Sequence, residues 1–398
     1  MTFHKQLRWG GLLMILVSLS MNSMNIIVHL GYHNAAIQAI YGIGFTGLIL
    51  AASLIHIAQA RRAGIFGLLA YLISLLSLLY ANVATFLTLA EFIGIEGAYQ
   101  TLLALWNPVL RIAVYSLFIG WMLLGVSVAQ AGVLPRWAGI LIALGVALQL
   151  PSQYAMEIAG PLFFLFTISG SILFGWGLIW IGWSLWSGNG WDPQEAGLSD
   201  LDRKWGGPVV IFSGLMFAVD AMANMLGGLS LASGITHVIS YTTCVLLGFL
   251  LYAAHGKRVG WTGFAGFLLT QFGAALYMIT AFLILAQLAG MIDNNRALMG
   301  SWVDIPVGRY GGHMVTIGVF LFGLEAIRSG VFPRPSGWLV LIGIALALPF
   351  AFTIQAYFLG IFWVIGGIVE GIAIVWMGWI LLSRGQTETN VQLAESTV

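Results

Sequence analysis

Two carboxylic acids lie inside long apolar segments, where ionisable side chains are costly and usually mark functional sites. Asp220 occurs in the stretch AVDAMANML, with Asn224 one helical turn later on the same face. Glu370 lies in the stretch GGIVEGIAIVW. A buried carboxyl group that gains and loses a proton suits proton-coupled chemistry, whereas one bonded to a neighbouring hydroxyl, amide or arginine serves packing alone. Both interpretations stay open. Glu325, three residues before Arg328, is interpreted as half of a local ion pair.

Two arginines are the second group of residues that could take part in binding. Arg111 and Arg309 each stand near the start of an apolar segment, three residues after a proline, and Tyr115 and His313 follow them by four residues. Arginine suits planar, bidentate contact with carboxylate or phosphate. One hypothesis is that these arginines pair with the two acids or receive an anionic group. The alternative is that they extend towards lipid headgroups.

Other chemistries have little support in the sequence. The single cysteine, Cys244, excludes an intrachain disulfide and a cysteine-rich metal site. The histidines, His237 among them, lie near the ends of apolar segments and are interpreted as interfacial polar residues, so no metal site is predicted. No nucleophile elbow or zincin motif occurs, and no lysine lies within an apolar segment. An enzyme is therefore the least supported class, and the sequence leaves any cofactor unknown.

The composition is that of a membrane protein. Of 398 residues, 60% are hydrophobic and 7% are charged, and the mean hydropathy is +0.97. Soluble domains carry about 25% charged residues, so lipid is the expected solvent and partner of this chain. The net charge of +1 gives no indication of a nucleic-acid partner.

The apolar segments predict an all-α integral membrane protein with about twelve transmembrane helices. A helix needs about 20 apolar residues to cross a bilayer. Segments of that kind fall near residues 9–30, 36–59, 65–92, 109–131, 137–156, 161–186, 207–230, 234–254, 261–290, 310–331, 336–356 and 358–383.

The basic residues predict the orientation of these helices. Twelve of the fifteen lysines and arginines fall at the termini or in loops on one side of the membrane, and only Arg111, Arg296 and Arg309 fall on the other. Since positive charge favours the cytoplasm, both termini should be cytoplasmic. The predicted location is the cytoplasmic (inner) membrane of a bacterium.

The two halves of the chain repeat each other. RWGG at 8–11 matches KWGG at 204–207, and GVLPRWAGILIALGVALQLP at 132–151 matches GVFPRPSGWLVLIGIALALP at 330–349. Since six is an even number of spans, the two repeats should be parallel to each other. The predicted domains are a first six-helix repeat, a cytoplasmic linker, a second six-helix repeat and a polar tail, at residues 1–187, 188–204, 205–384 and 385–398.

The turn RSGVFPRPSGWLVLIG at 328–343, with its relative QAGVLPRWAGILIALG at 130–145, resembles a recurring element of uncharacterised bacterial polytopic membrane proteins. The six-plus-six plan is similar to that of the major facilitator transporters. Their signature loop between spans 2 and 3 carries an acidic residue, and HIAQARRAGIFG and YAAHGKRVGWTG contain none. The resemblance therefore concerns the plan of the helices and implies no substrate.

Two functional hypotheses follow. The first is a secondary transporter or permease for a small solute, with proton coupling at Asp220 and Glu370, because duplicated membrane bundles are common among transporters. The alternative is a non-transporting component: an accessory subunit of a larger membrane complex, or a protein that binds lipid or an apolar cofactor. Candidate binding residues are Asp220, Glu370, Asn224, Arg111, Arg309 and His313.

Overall fold

The structure is a computed structural model that describes residues 3–154, 160–191, 195–226, 230–293, 308–352 and 357–396. Within these ranges it describes the backbone alone for residues 29, 151–154, 160–164, 224–226, 257, 348–352, 357–360 and 384–396.

The described residues form helices joined by short turns, with no strand among them. The helices are α1 (Phe3–His29), α2 (Ala35–Phe92), α3 (Ala98–Leu105), α4 (Arg111–Ala131), α5 (Arg136–Tyr154), α6 (Gly160–Ser187), α7 (Asp200–Leu226), α8 (Leu231–His255), α9 (Trp261–Leu288), α10 (Gly308–Ser329), α11 (Arg334–Phe352) and α12 (Tyr357–Ser396). The prediction of an all-α membrane protein is confirmed for this part of the chain.

Nine helical stretches in the described ranges are long and apolar enough to cross a membrane. In this count α3 and α4 form one continuous stretch, Ala98–Ala131, and α2 is a single stretch of 58 residues. The helices α5 and α11 contain shorter apolar segments, Arg136–Leu150 and Arg334–Ala347. The predicted number of twelve crossings remains a prediction.

The long helix α2 is broken at Gly64. This residue has φ 58° and ψ −157°, a conformation outside the helical region. Only glycine adopts such a backbone conformation without a steric penalty. The predicted spans 36–59 and 65–92 lie on the two sides of this break. The hydropathy pattern thus predicted two separate helices, whereas the structure has one helix interrupted at a single residue.

Polar side chains satisfy the free N–H groups at two helix starts. The helix α7 begins before the apolar segment, because Ser199 and Asp202 cap each other: the Asp202 N–H donates to Ser199 Oγ (3.0 Å) and the Ser199 N–H to Asp202 Oδ2 (2.9 Å). At the start of α9, Glu325 accepts from the Gly260 N–H (2.8 Å), the Gly263 N–H (3.2 Å) and the Thr262 hydroxyl. Glu325 is therefore a helix cap, which corrects the predicted local ion pair.

The chain divides into two compact units. The N-terminal unit contains residues 4–197 and 290–308, and the C-terminal unit contains residues 1–3, 198–289 and 309–398. The helices α7 to α12 thus belong to one unit and most of α1 with α2 to α6 to the other. Glycine contacts recur in each unit: a β-carbon at Gly11 would lie 2.5 Å from the Gly182 carbonyl oxygen, and one at Gly378 would lie 2.9 Å from that of Gly207. Close backbone contacts of this kind are typical of helix packing in membranes.

Candidate functional site

The helical hairpin of α7 and α8 brings a buried acid and a buried histidine together. Asp220 lies six residues before the end of α7 at Leu226, and His237 lies six residues after the start of α8 at Leu231. In an antiparallel hairpin, residues equally far from the turn lie at the same depth. Both side chains are buried, with 5% of Asp220 and 8% of His237 exposed.

A hydrogen-bonded chain runs from Asp220 through His237 to Tyr277 on α9. His237 Nδ1 lies 2.9 Å from both carboxylate oxygens of Asp220. The other ring nitrogen, Nε2, lies 2.9 Å from the Tyr277 hydroxyl. Three consecutive membrane helices of the C-terminal unit therefore each contribute one member to a polar chain, which we call the Asp–His–Tyr chain.

Tyr241 packs against this chain. It lies one turn after His237 on α8, and its ring stacks on that of Tyr277 with centroids 4.0 Å apart and planes inclined by 21°. Its ring also meets the edge of His237, with centroids 5.1 Å apart. The imidazole therefore contacts the rings of both Tyr241 and Tyr277, which restricts its orientation.

Glu370 lies on α12, which packs against α7. Its side chain is buried, and its carboxyl group interacts electrostatically with the Tyr241 hydroxyl and the Cys244 thiol. Asp220 interacts with the same hydroxyl. The backbone at Glu370 is closely packed, since a β-carbon at Gly343 would lie 2.7 Å from the Glu370 nitrogen. The two acids singled out in the sequence therefore both lie within electrostatic range of Tyr241.

The start of α10 lies beside the same chain. A β-carbon at Gly312 would lie 3.1 Å from Cε2 of Tyr277, so this turn of α10 packs on the tyrosine ring. Arg309 and His313, on either side of Gly312 in the sequence, are both half-buried. The candidate Asn224 belongs to α7, but its side chain lies outside the described residues.

Arg111 lies in the N-terminal unit and is exposed. Its Nε donates to the Tyr115 hydroxyl at 3.0 Å, and its guanidinium carbon lies 5.7 Å from the centroid of that ring. A π-helical turn, Trp106–Leu110, precedes it and contains Pro108. Proline cannot donate a backbone hydrogen bond, which favours such a widened turn. The contact between Arg111 and Tyr115 matches the predicted helical spacing.

The sequence interpretation missed His237, Tyr241 and Tyr277. His237 was interpreted as an interfacial residue, but it is buried and bonded to Asp220. The contact between Asp220 and His237 could have been predicted from the sequence, because the two residues lie equally far from the facing ends of α7 and α8. Tyr277 carries no such signal, since only the packing of α9 against α8 shows that its hydroxyl reaches the imidazole.

Comparisons with known proteins give little further information. No protein-family model matches this sequence, and no curated protein matches it either. Among solved structures, the chain is similar to a MOP superfamily transporter from Pyrococcus furiosus at 14% identity, over 97% of each chain, with a TM-score of 0.26. At that TM-score the likeness establishes no shared fold.

Proposed function

We propose that this protein is a secondary transporter for a small solute, and that the Asp–His–Tyr chain is its proton-exchange site. The observation that carries the proposal is the burial of a carboxylate and an imidazole in direct contact within a bundle of apolar helices. Ionisable groups inside membrane helices are rare and characteristic of proton relays in transporters. Glu370, beside Tyr241, is the second acid that we assign to this site.

The geometry suits an imidazole that gains and loses one proton. An ionised Asp220 only accepts hydrogen bonds, so His237 Nδ1 carries a hydrogen and donates it. The Tyr277 hydroxyl can donate to an unprotonated Nε2, or rotate and accept from a protonated one. Both protonation states of the imidazole therefore keep a hydrogen bond at each nitrogen. This is the property that a reversible proton-binding site inside a membrane requires.

We further propose the arrangement in which this site works: twelve crossings in two parallel six-helix repeats, with both termini in the cytoplasm of a bacterial cell. The break at Gly64 and the two shorter apolar helices support twelve crossings. The recurring glycine contacts of the two units support a duplication. In this orientation the Asp–His–Tyr chain lies towards the non-cytoplasmic side, where Arg309 and His313 would line the route that a proton or an anionic group takes.

The test is solute-driven proton movement in proteoliposomes that contain an internal pH-sensitive dye. A panel of amino acids, nucleosides, sugars and aromatic amines is added outside, and the internal pH is recorded. We expect at least one solute class to change the internal pH, and we expect Asp220→Asn to reduce that rate at least about tenfold, because the amide cannot balance a charged imidazole.

The matched control is Asp200→Asn, which removes an exposed acid from the first turn of the same helix. It should transport as the unchanged protein does. Equal proton movement by the unchanged protein and by a folded Asp220→Asn variant would contradict proton coupling at this site. A failure of every solute in the panel to bind or move would contradict the transporter assignment itself.

A further inference from the structure

The C-terminal unit contains a second histidine and acid, at the opposite end of α8 from the Asp–His–Tyr chain. His255 is the last residue of α8, and Glu325 lies on α10. Both side chains are buried, and the carboxylate lies within electrostatic range of the imidazole. His237 lies near the start of α8, so the two histidines are about 27 Å apart along the helix at about 1.5 Å per residue.

The hydrogen bonds of His255 show which of its nitrogens can gain a proton. Nδ1 lies 2.6 Å from the Leu251 carbonyl oxygen. A carbonyl oxygen only accepts, so Nδ1 carries the hydrogen and Nε2 is the nitrogen with a free lone pair. Nε2 is shielded from solvent and has no hydrogen-bond partner among the described residues. A proton that binds to this imidazole therefore binds at Nε2.

Aromatic rings surround the imidazole. It stacks on Phe322 with ring centroids 6.5 Å apart, and it meets Phe332 edge-on with centroids 5.2 Å apart. Phe322 lies one turn before Glu325 on α10, so the ring and the acid share one face of that helix. The elements in contact with His255 carry these charged or titratable side chains: Glu325, Tyr252 and the exposed Arg258, Arg328 and Arg334, while the side chain of Lys257 lies outside the described residues.

Glu325 is held in place beside this imidazole. Its Oε1 accepts from the Gly260 N–H, and its Oε2 accepts from the Gly263 N–H and the Thr262 hydroxyl. A carboxylate has about four lone-pair positions, so these three donors leave capacity for one more. The negative charge is thus fixed at the start of α9 and available to balance a charged imidazole.

The N-terminal unit has a neutral pair at the corresponding positions. In the predicted duplication Gln59 and Ser127 align with His255 and Glu325. The Gln59 Nε2 donates to the Ser127 Oγ at 3.3 Å. An uncharged pair therefore suffices to pack the helices at this position, and the histidine and acid of the C-terminal unit add a capacity that packing does not need.

The Asp–His–Tyr chain shows the same difference between the units. In the predicted duplication His237, Tyr241 and Glu370 align with Tyr41, Phe45 and Phe174. The histidines at the two ends of α8 are thus both replaced by uncharged side chains in the N-terminal unit. Groups that titrate near neutral pH are found at both ends of one helix in the C-terminal unit.

From these observations we infer that His255 Nε2 is a second proton-binding site, with Glu325 as the counter-ion of the charged imidazole. Its part in transport rests on the proposed function, in which this end of α8 faces the cytoplasm. Because Nε2 is shielded from solvent in this structure, a proton reaches it when the ends of α8 and α10 move apart. Proton binding here is therefore tied to a conformational change, as alternating access requires.

The test is solid-state ¹⁵N NMR of the full-length protein with ¹⁵N-labelled histidine in lipid nanodiscs. Spectra are recorded from about pH 5 to 9, a range that brackets ordinary histidine titration. The signals that disappear in His255→Gln, which introduces the side chain of the aligned Gln59, identify His255. We expect these signals to convert from the neutral to the charged form as the pH falls. A His255 that stays neutral over the whole range would overturn the inference.

Two variants identify the counter-ion. Glu325→Gln removes the charge but keeps an oxygen for the α9 N–H groups, and we expect the ratio of charged to neutral His255 at about pH 6 to fall at least about fivefold. Thr262→Val removes one donor to Glu325 and no charge, so the ratio should stay within about twofold. Unchanged signals of the distant His237 would show that each variant is folded. An unaltered ratio in folded Glu325→Gln, or an equal fall in both variants, would overturn the role of Glu325.

The NMR experiment uses no solute and no gradient, so its outcome is separate from that of the transport test. A titrating His255 without solute-driven proton movement would support this site and contradict the transporter proposal. Solute-driven proton movement with a His255 that stays neutral would do the reverse. Where both hold, His255→Gln should slow the proton movement at least about fivefold, because glutamine binds no proton. His33→Gln, at an exposed histidine, is the control, and equal rates in the two variants would exclude His255 from the proton route.

Discussion

At the residue scale, the central feature is a histidine held at both ring nitrogens inside an apolar bundle. Asp220 fixes Nδ1 and Tyr277 fixes Nε2, each at 2.9 Å. A polar group that is buried without a partner costs more than a hydrogen bond contributes. The three side chains are therefore coupled, and removal of any one takes a hydrogen bond from another.

The variant Tyr277→Phe tests the hydrogen bond between the Tyr277 hydroxyl and His237 Nε2. It keeps the ring that stacks on Tyr241 and removes only the hydroxyl that contacts His237 Nε2. We expect the free energy of unfolding, measured by titration with denaturing detergent, to fall by about 1–3 kcal/mol. Tyr310→Phe, at a residue that is 65% exposed, is the matched control and should leave stability unchanged. Equal stability of the two variants would mean that the hydroxyl contributes nothing to the chain.

The residues of the site differ in how far sequence reasoning could identify them. Asp220 and Glu370 stand out because a charge in an apolar segment is improbable without a role. His237 lies closer to a predicted span end, where a histidine is ordinary. Its partner becomes visible only when α7 and α8 are treated as an antiparallel pair. Tyrosine is common in membrane helices, so the contact of Tyr277 follows from tertiary packing alone.

At the element scale, close glycine contacts position the acids. A β-carbon at Gly371 would lie 2.5 Å from the carbonyl oxygen of Gly214, so α7 and α12 approach to backbone contact next to Glu370. Small residues allow this close approach of helices in a membrane. The sequence does not show which glycines meet, because spacing on one helix does not identify the partner helix.

The variant Gly371→Ala tests whether this contact is required. The added methyl group has no space, so α7 and α12 must separate, and we expect a loss of about 1–3 kcal/mol in the free energy of unfolding. In Gly42→Ala the new β-carbon would meet Thr85 Cγ2 at an ordinary 3.5 Å, so stability should be nearly unchanged. The midpoint of thermal unfolding in the same detergent measures both. A similar midpoint for the two variants would show that the helices are not held at this contact.

The hydropathy pattern predicts the membrane-spanning part of a helix better than it predicts where the helix begins and ends. The apolar segments located the membrane part of each helix, but α7 starts earlier, at a Ser199 and Asp202 cap, and α2 continues through Gly64. Caps and single-residue breaks depend on local hydrogen bonds and backbone angles. A window of about 20 residues averages over such details.

At the scale of the whole molecule, chemistry is distributed unequally between the two units. The C-terminal unit contains the buried acids with their histidine and tyrosines. In the N-terminal unit the aligned residues Tyr41, Phe45 and Phe174 line a cavity. If the units arose by duplication, aligned positions have diverged from ionisable to aromatic side chains. The proposed proton exchange therefore belongs to the C-terminal unit alone.

The central claim is that the Asp–His–Tyr chain exchanges a proton with water, and infrared spectroscopy can observe that exchange without any knowledge of the solute. Difference spectra are recorded between pH values from 5 to 9, a range of about two units on either side of neutrality that brackets ordinary histidine titration. We expect the unchanged protein and Asp200→Asn to share carboxylate and imidazole bands that Asp220→Asn lacks, in addition to the bands that the other histidines give in all three proteins. Identical difference spectra for the unchanged protein and Asp220→Asn would contradict the claim.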